Sequence, residues 1–437
     1  MRKFLVIGAG TAGLLTLSQF CSGLDDDCEV YSVYDPNIPI LGVGEATSTN
    51  APLALFKGTD FILGRDGHYV DATYKFAVKY SNWRKTAFDS VIFPPAHAIH
   101  FDNTRLKDFV FMRLKERYPK KFKVIEGNVS YMKNIPDGVE VKINDEVKKF
   151  DYVIDCGGFP KDFTGYNMVD LPLNHALVVR VNEPGTWDYT HHWAHKHGWM
   201  FGIPLKSKQG WGYLYNDEIT SKEDAVEDLC EILKLDKHSI EPREYSFKPY
   251  YALDNLIDGR IFKNGNRFMF FEPMEALSME YYATLNSRYL GYIHDQATKE
   301  RLLYDTKFDL ESLIMFYRFI YHGGSIYDTN FWKITKKTTT LHLKNSQIWK
   351  DMLNFWKEHS YDPNVSINME IAPFRAYTWE QFDKNLGYGY FTKPKTDPRK
   401  RNISNDKPKT IAELLNTSNT PSIFTNSSVK MPKGFKL

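Results

Sequence analysis

The stretch Gly8-Ala9-Gly10-Thr11-Ala12-Gly13 constrains the fold more than any other part of the chain. It follows Lys3–Ile7, which reads as a short buried strand, and opens Thr11–Gln19, where Leu14, Leu15 and Leu17 recur at helical spacing. A glycine-rich turn between strand and helix lets a pyrophosphate approach the backbone, and the helix start offers free N–H donors and a positive dipole end. A second strand, Glu29–Tyr34, closes a βαβ unit, so the sequence predicts an α/β fold with a dinucleotide site. Gly8, Gly10, Thr11, Ala12 and Gly13 are candidate binding residues, and Asp35, just after the second strand, stands where a ribose-binding acid is expected.

The chain has 437 residues, beyond the roughly 250–300 that one core supports, so two or three lobes are expected. Hydrophobic residues at 42% and charged residues at 25% are globular proportions, while 15% aromatics can line a deep pocket for a flat ligand as well as fill a core. A net charge of +2, with no long Lys/Arg run in the body, argues against nucleic acid. Four scattered cysteines without a Cys-x-x-Cys pair argue against a disulfide framework or structural zinc and point to a reduced, cytoplasmic setting. His191, His192, His195 and His197 match no zinc spacing, so no metal is expected. Glycines at 8, 10 and 13 interrupt a start that otherwise imitates a signal peptide, and no window nears the ~18 apolar residues of a membrane span.

Residues 70–83 alternate, which predicts one strand with Tyr74, Phe76, Val78 and Tyr80 on one face and Thr73, Lys75, Ala77 and Lys79 on the other. Residues 103–118 read as helix, 123–143 as short strands, and Tyr152–Asp155 as an apolar strand closing on Cys156-Gly157-Gly158-Phe159. Residues 174–215 are β-rich, Glu223–Leu235 and Met274–His294 read as helices, and helices dominate 296–360. From Lys393 onward ten basic and three acidic residues, among many Pro, Asn, Ser and Thr, mark a basic arm. It suits a contact between subunits of a homo-oligomer.

Four segments together resemble the flavin-dependent halogenases of the tryptophan-halogenase type. Leu41-Gly42-Val43-Gly44-Glu45-Ala46-Thr47 is similar to the family's flavin-covering loop, and Thr73–Tyr80 with Asn82-Trp83-Arg84 resembles the segment bearing its catalytic lysine, at Lys75. Gly198-Trp199-Met200-Phe201-Gly202-Ile203-Pro204 resembles the Trp-x-Trp-x-Ile-Pro signature, with Phe201 in place of the second tryptophan. Phe271-Glu272-Pro273-Met274-Glu275 resembles the segment whose second glutamate, here Glu275, sits beside the lysine. Asp328–Trp332 adds a weaker match. Compact length and substitutions look most like the marine cyanophage member, which implies a viral origin and a host cytoplasm.

The resemblance implies an FAD-binding, Rossmann-like domain of the aromatic-hydroxylase type, with an inserted β-rich substrate module and a helical C-terminal region. The expected boundaries are 1–60, 100–165 and 255–295 for the FAD domain, 61–99 and 166–254 for the module, 296–392 for the helical region and 393–437 for the arm. Reduced FAD and dioxygen would convert halide to hypohalous acid, Lys75 would deliver the halogen to a small aromatic substrate, and Glu275 would position the lysine or accept the ring proton. Gly42, Val43, Gly44, Glu45, Ala46 and Thr47 would join the cofactor site, and Trp199 and Phe201 would separate flavin from substrate. No second fingerprint for a nicotinamide cofactor is visible, which implies a separate flavin reductase.

Two departures from the family sharpen these expectations. Ser-Thr-Gly at the family's halide site is here Ala276-Leu277-Ser278, which removes polar donors and favours iodide or bromide over the more strongly hydrated chloride. Only fifteen residues separate Arg84 from His100, where indole-specific members carry a longer insert, so a broader or bulkier substrate range is expected. A flavin-dependent aromatic hydroxylase and a catalytically retired FAD-binding partner protein are the alternatives.

Overall fold

The computed structural model describes residues 1–40, 45–92, 96–237, 240–359, 370–371 and 374–391. Leu41, Gly42, Val43 and Gly44 of the flavin-covering loop and the arm 393–437 lie outside the described residues. The chain forms two compact units, one from Met1–Leu303 with Ser325–Lys333, the other from Tyr304–Gly324 with the described residues from Ile334 onward.

The first unit is built on a six-stranded sheet whose centre is β1 (Lys3–Ile7). It pairs in parallel with β2 (Glu29–Tyr34) on one side and with Tyr152–Asp155 on the other. Phe122–Glu126 extends the sheet beyond β2, and Ile261–Lys263 and Leu256–Ile257 extend the opposite edge. Phe4, Leu5 and Val6 are all fully buried, as an apolar run in a doubly covered parallel sheet requires. Leu5 and Ile7 join Val139, Val141, Ile143 and Phe150 of the antiparallel sheet formed by residues 129–150. Phe4, on the other face, meets Phe20 of helix α1 (Thr11–Gly23) edge-on. This is the mixed α/β, Rossmann-type architecture expected. All four cysteines are free and buried.

A seven-stranded sheet follows the order Arg243–Ser246, His175–Val181, Gln209–Tyr215, Gly198–Pro204, Tyr189–His195, Ala77–Ser81, Phe88–Val91. Its ladders are antiparallel except where Tyr189–His195 runs parallel to Ala77–Ser81. Aromatic rings lie over glycines on the paired strand: a Cβ on Gly212 would fall 2.2 Å from the Phe201 ring, and one on Gly202 would fall 2.3 Å from that of Trp211. The helix Lys222–Leu233 covers one face through Ala225 and Leu229 and is capped by Ser221, which accepts from the Asp224 N–H at 3.1 Å.

The alternation predicted across residues 70–83 is interrupted. Thr73–Lys75 pairs with Ala98–Phe101 in a small sheet, whereas Ala77–Ser81 belongs to the seven-stranded one. Phe76 is the hinge between them, donating to Asp188 O and accepting from Ile92 N–H. Tyr74 and Phe76 are therefore exposed, at 45% and 36%, while Lys75 is 2% exposed and faces inward with Val78 and Tyr80. An inserted residue shifts a two-residue period by one, so the side chains after it change face.

The predicted helix Met274–His294 also breaks. Met274–Ala276 is a single 3-10 turn and the α-helix is Leu277–Ile293. Glu275 (φ 58°) and Ala276 (φ 56°) are both left-handed, a conformation no right-handed helix can contain.

The second unit is helical and rich in aromatics. Phe316, Phe319, Trp349 and Trp379 pack edge-on or tilted, with Phe391 against them, and the Asp383 carboxylate accepts the N–H groups of Tyr390 and Phe391. Among the described residues no helix is long and apolar enough to cross a membrane.

Candidate active site

The nucleotide turn has the shape its glycines predict. Gly8 sits at φ +97°, and a Cβ there would fall 2.5 Å from Cys156 O, at the end of the neighbouring parallel strand. On Gly13 a Cβ would fall 2.0 Å from Gly8 O, so this glycine lets α1 close on the turn. Gly10 differs: a Cβ there would meet nothing within 4 Å, which leaves an open cradle at the helix start. No side chain caps α1, so its first N–H groups are available to a phosphate. These features fit the diphosphate of FAD. Ala12 packs against Gly265, and Thr11 Oγ1 donates to Glu45 Oε1 at 2.9 Å. Asn103 Nδ2 donates to the same oxygen at 2.8 Å, and burial pushes the Glu45 carboxyl up to about 7 against those two bonds. Ala46 completes the two-residue strand Glu45–Ala46 beside Ala98–Phe101. Asp35 closes a turn, accepting from Asn37 N–H at 2.9 Å.

Lys75 and Glu275 are both buried, and the charge of each bears on the other. Lys75 Nζ donates to Thr47 O at 2.7 Å. Burial lowers its pKa to about 8, while Glu275 and then Glu280 hold it up. The Glu275 carboxyl is raised by burial, with Lys75 and hydrogen bonds from Tyr80 and Ser90 acting the other way. Tyr80 Oη donates to Glu275 Oε1 at 2.7 Å. The first turn of the following helix carries Ala276, Leu277 and Ser278. There the N–H groups of Ala276 and Leu277 are spent on Pro273 O and Met274 O, and the Ser278 hydroxyl is buried near Tyr282.

Aromatics wall this cluster. Trp199 is fully buried, 4.6 Å from the His192 ring and 6.4 Å from Trp83. Phe201, two residues on, faces the same side over Gly212. Trp332 meets Trp83 edge-on at 5.4 Å and donates to His195 O at 2.7 Å, which gives the Asp328–Trp332 segment its place. His192 and His100 are held neutral by burial and by the Lys75 charge. His100 lies between the hydroxyls of Thr73 and Thr190, and His192 Nδ1 is buried without a hydrogen-bond partner.

His195, Asp228 and Glu231 do converge, which the histidine spacing alone did not indicate. His195 Nδ1 lies 2.9 Å from Asp228, and the Lys196 ammonium pairs with both carboxylates.

Three further residues join this cluster without a sequence signal. Tyr80 reads in the sequence only as an apolar strand residue. Thr47, expected at the cofactor, also receives Lys75 through its carbonyl. Glu280, five residues after Glu275, would point away from it on a continuous helix. The left-handed pair takes Glu275 out of the helical spacing, and both carboxylates bear on the charge of one lysine.

Tryptophan 7-halogenase RebH of Lentzea aerocolonigenes is 21% identical over 423 residues, covering 77% of this chain and 79% of the relative. Tryptophan 7-halogenase KtzQ of Kutzneria sp. (strain 744) is 25% identical over 374 residues, covering 65% and 68%. The crystal structure of a tryptophan halogenase from Shewanella frigidimarina NCIMB 400 superposes with a TM-score of 0.73 at 17% identity, covering 93% of this chain and 91% of that one, a likeness of fold. The tryptophan halogenase family model matches residues 3–94 and 86–382. The chain therefore belongs to the tryptophan halogenase family, whose members are flavin-dependent oxidoreductases.

Proposed function

We propose that the chain halogenates an electron-rich aromatic substrate, with Lys75 delivering the halogen and Glu275 taking up the ring proton. The observation that carries this reading is a lysine amine and a carboxylate, both buried and each acting on the other's charge, at the positions the halogenase motifs assign. FAD, reduced by a separate reductase, supplies with dioxygen the oxidising equivalents that turn halide into hypohalous acid. Gly8, Gly10 and Thr11 would hold its diphosphate, and Trp199 and Phe201 would keep substrate and flavin apart.

A pKa lowered to about 8 leaves a usable fraction of Lys75 as free amine near neutrality. That nitrogen attacks the halogen of hypohalous acid: the N–halogen bond forms, the oxygen–halogen bond breaks, and hydroxide leaves with the amine proton as water. The arene then takes the halogen from nitrogen. Its ring proton passes to Glu275 and back to the lysine nitrogen, which restores both groups.

Halide preference follows from the donor count. With alanine and leucine at 276 and 277, and their N–H groups spent within the turn, little remains to replace chloride's hydration shell. Iodide and bromide lose less on entry. The short segment between Arg84 and His100 supports bulky phenols, anilines or indoles as substrates, and the basic arm is read as a subunit contact.

The test supplies purified protein with FAD, an unrelated flavin reductase, NADH and an arene panel, with chloride, bromide or iodide given singly and then in competition. Halogenated product by mass, iodide or bromide foremost, is expected. Only hydroxylated or unchanged arene would refute the halogenase reading, and chloride winning at equal concentration would refute the halide preference.

A further inference from the structure

Glu280 has no role in the reading above, yet its carboxylate is tied to the segment that follows the residue receiving Lys75. Ser48 Oγ donates to Oε2 and Asn50 Nδ2 to Oε1, and the Asn50 N–H adds a bond to Oε2 of 3.3 Å. The residue just before this segment is Thr47, whose carbonyl accepts from Lys75 Nζ at 2.7 Å. On its other side Thr47 is fixed to Ile99: its N–H donates to Ile99 O and its hydroxyl accepts from Ile99 N–H, both at 2.9 Å. Ile99 thus holds Thr47 itself, and Glu280 holds the residues that follow it.

We propose that Glu280 is a positioning residue for Lys75, fastening the 48–50 turn so that the Thr47 carbonyl meets the amine and adding a second negative charge to that of Glu275. The proposal rests on the reading of Lys75 as the halogen-delivering residue. The groups facing Glu280 are Ser48 and Asn50, at the start of helix α2 (Asn50–Thr59), and Lys75. Glu275 bears on it through their shared lysine. Burial pushes the Glu280 carboxyl up to about 7, with the Asn50 N–H and Lys75 pulling it down. Protonating Glu280 removes a counter-charge, so the Lys75 pKa falls and the lysine gives up its proton at lower pH.

Two readouts separate this role from a structural one. In the full-length protein carrying lysine labelled with 13C at Cε, the Lys75 resonance is located by its loss in Lys75→Arg and followed from pH 5 to 10. Glu280→Gln should lower the Lys75 midpoint by about one unit, and the pH limb of halogenation should move with it. Ser48→Ala, which leaves Glu280 in place, should move the midpoint the same way by less, and it decides the matter if the glutamine variant fails to fold. A Lys75 midpoint unchanged in the folded variants would overturn the proposal. Should Lys75→Ala halogenate at the parent rate, the delivery reading fails, while the midpoint still judges Glu280.

Discussion

The nucleotide turn and the lysine cluster are built in opposite ways. In the turn, strand and helix are regular and three glycines divide the work: Gly8 turns the chain, Gly13 lets the helix close and Gly10 leaves room. In the cluster, chemistry gathers where regularity stops. Lys75 precedes a break in its strand, Glu275 and Ala276 form a left-handed pair before a helix, and the lysine's acceptor is a backbone carbonyl beside a turn. Backbone held in costly conformations, at about 1–3 kcal/mol per residue, persists where surrounding contacts over-determine it. Binding a diphosphate needs a repeated shape, whereas aiming one amine needs local exceptions.

Substitutions can break that contrast. The largest effect is expected at the lysine: Lys75→Ala should lower arene halogenation about a thousandfold while hypohalous acid continues to form, as read by product mass beside a hypohalite-trapping dye. Parallel loss of both would place Lys75 upstream of delivery. Within the turn, Gly13→Ala should destabilise the fold by about 2–3 kcal/mol in calorimetry. Gly10→Ala should leave the melting temperature alone and weaken FAD binding about tenfold in a fluorescence titration. Identical behaviour of the two would contradict the division of roles.

Smaller effects sharpen the account of the cluster. Tyr80→Phe removes a donor to Glu275, so the carboxyl pKa rises further and the proton acceptor is lost from the acid side. Halogenation should fall about tenfold near neutrality and recover as pH rises, and a pH-independent loss would speak against proton uptake by Glu275. Rates of the unaltered protein should climb toward a plateau above pH 8 as Lys75 loses its proton, the sign expected for an amine nucleophile whose pKa is about 8. Ala276→Gly relieves one left-handed residue and should stabilise the protein by about 0.5 kcal/mol in denaturant titration, with little change in rate.

How much the sequence discloses follows the same divide. The strand–turn–helix, the α/β class and the aromatic strand Gly198–Pro204 are legible because regular backbone imposes periods of 2 and 3.6 on side-chain type. The motifs single out Lys75 and Glu275 but carry no sign of their surroundings. A period of two put Lys75 on the face of Lys79; the interruption at Phe76 turned it inward with Tyr80. A period of 3.6 started a helix at Met274 and sent Glu280 to another side; two positive φ angles took Glu275 out of that spacing. The acceptor of Lys75 is a carbonyl, which every residue carries, so no side-chain pattern announces it.

Buried sulfur gives the molecule one further property. Cys156 adjoins the nucleotide turn and Cys21 lies in helix α1, and burial pushes both thiols up to about 12. The thiolate is the form that reacts with electrophilic oxidants, and at physiological pH neither residue presents it. These two thiols are thus kept protonated and buried, which shields them from oxidation without a disulfide between them.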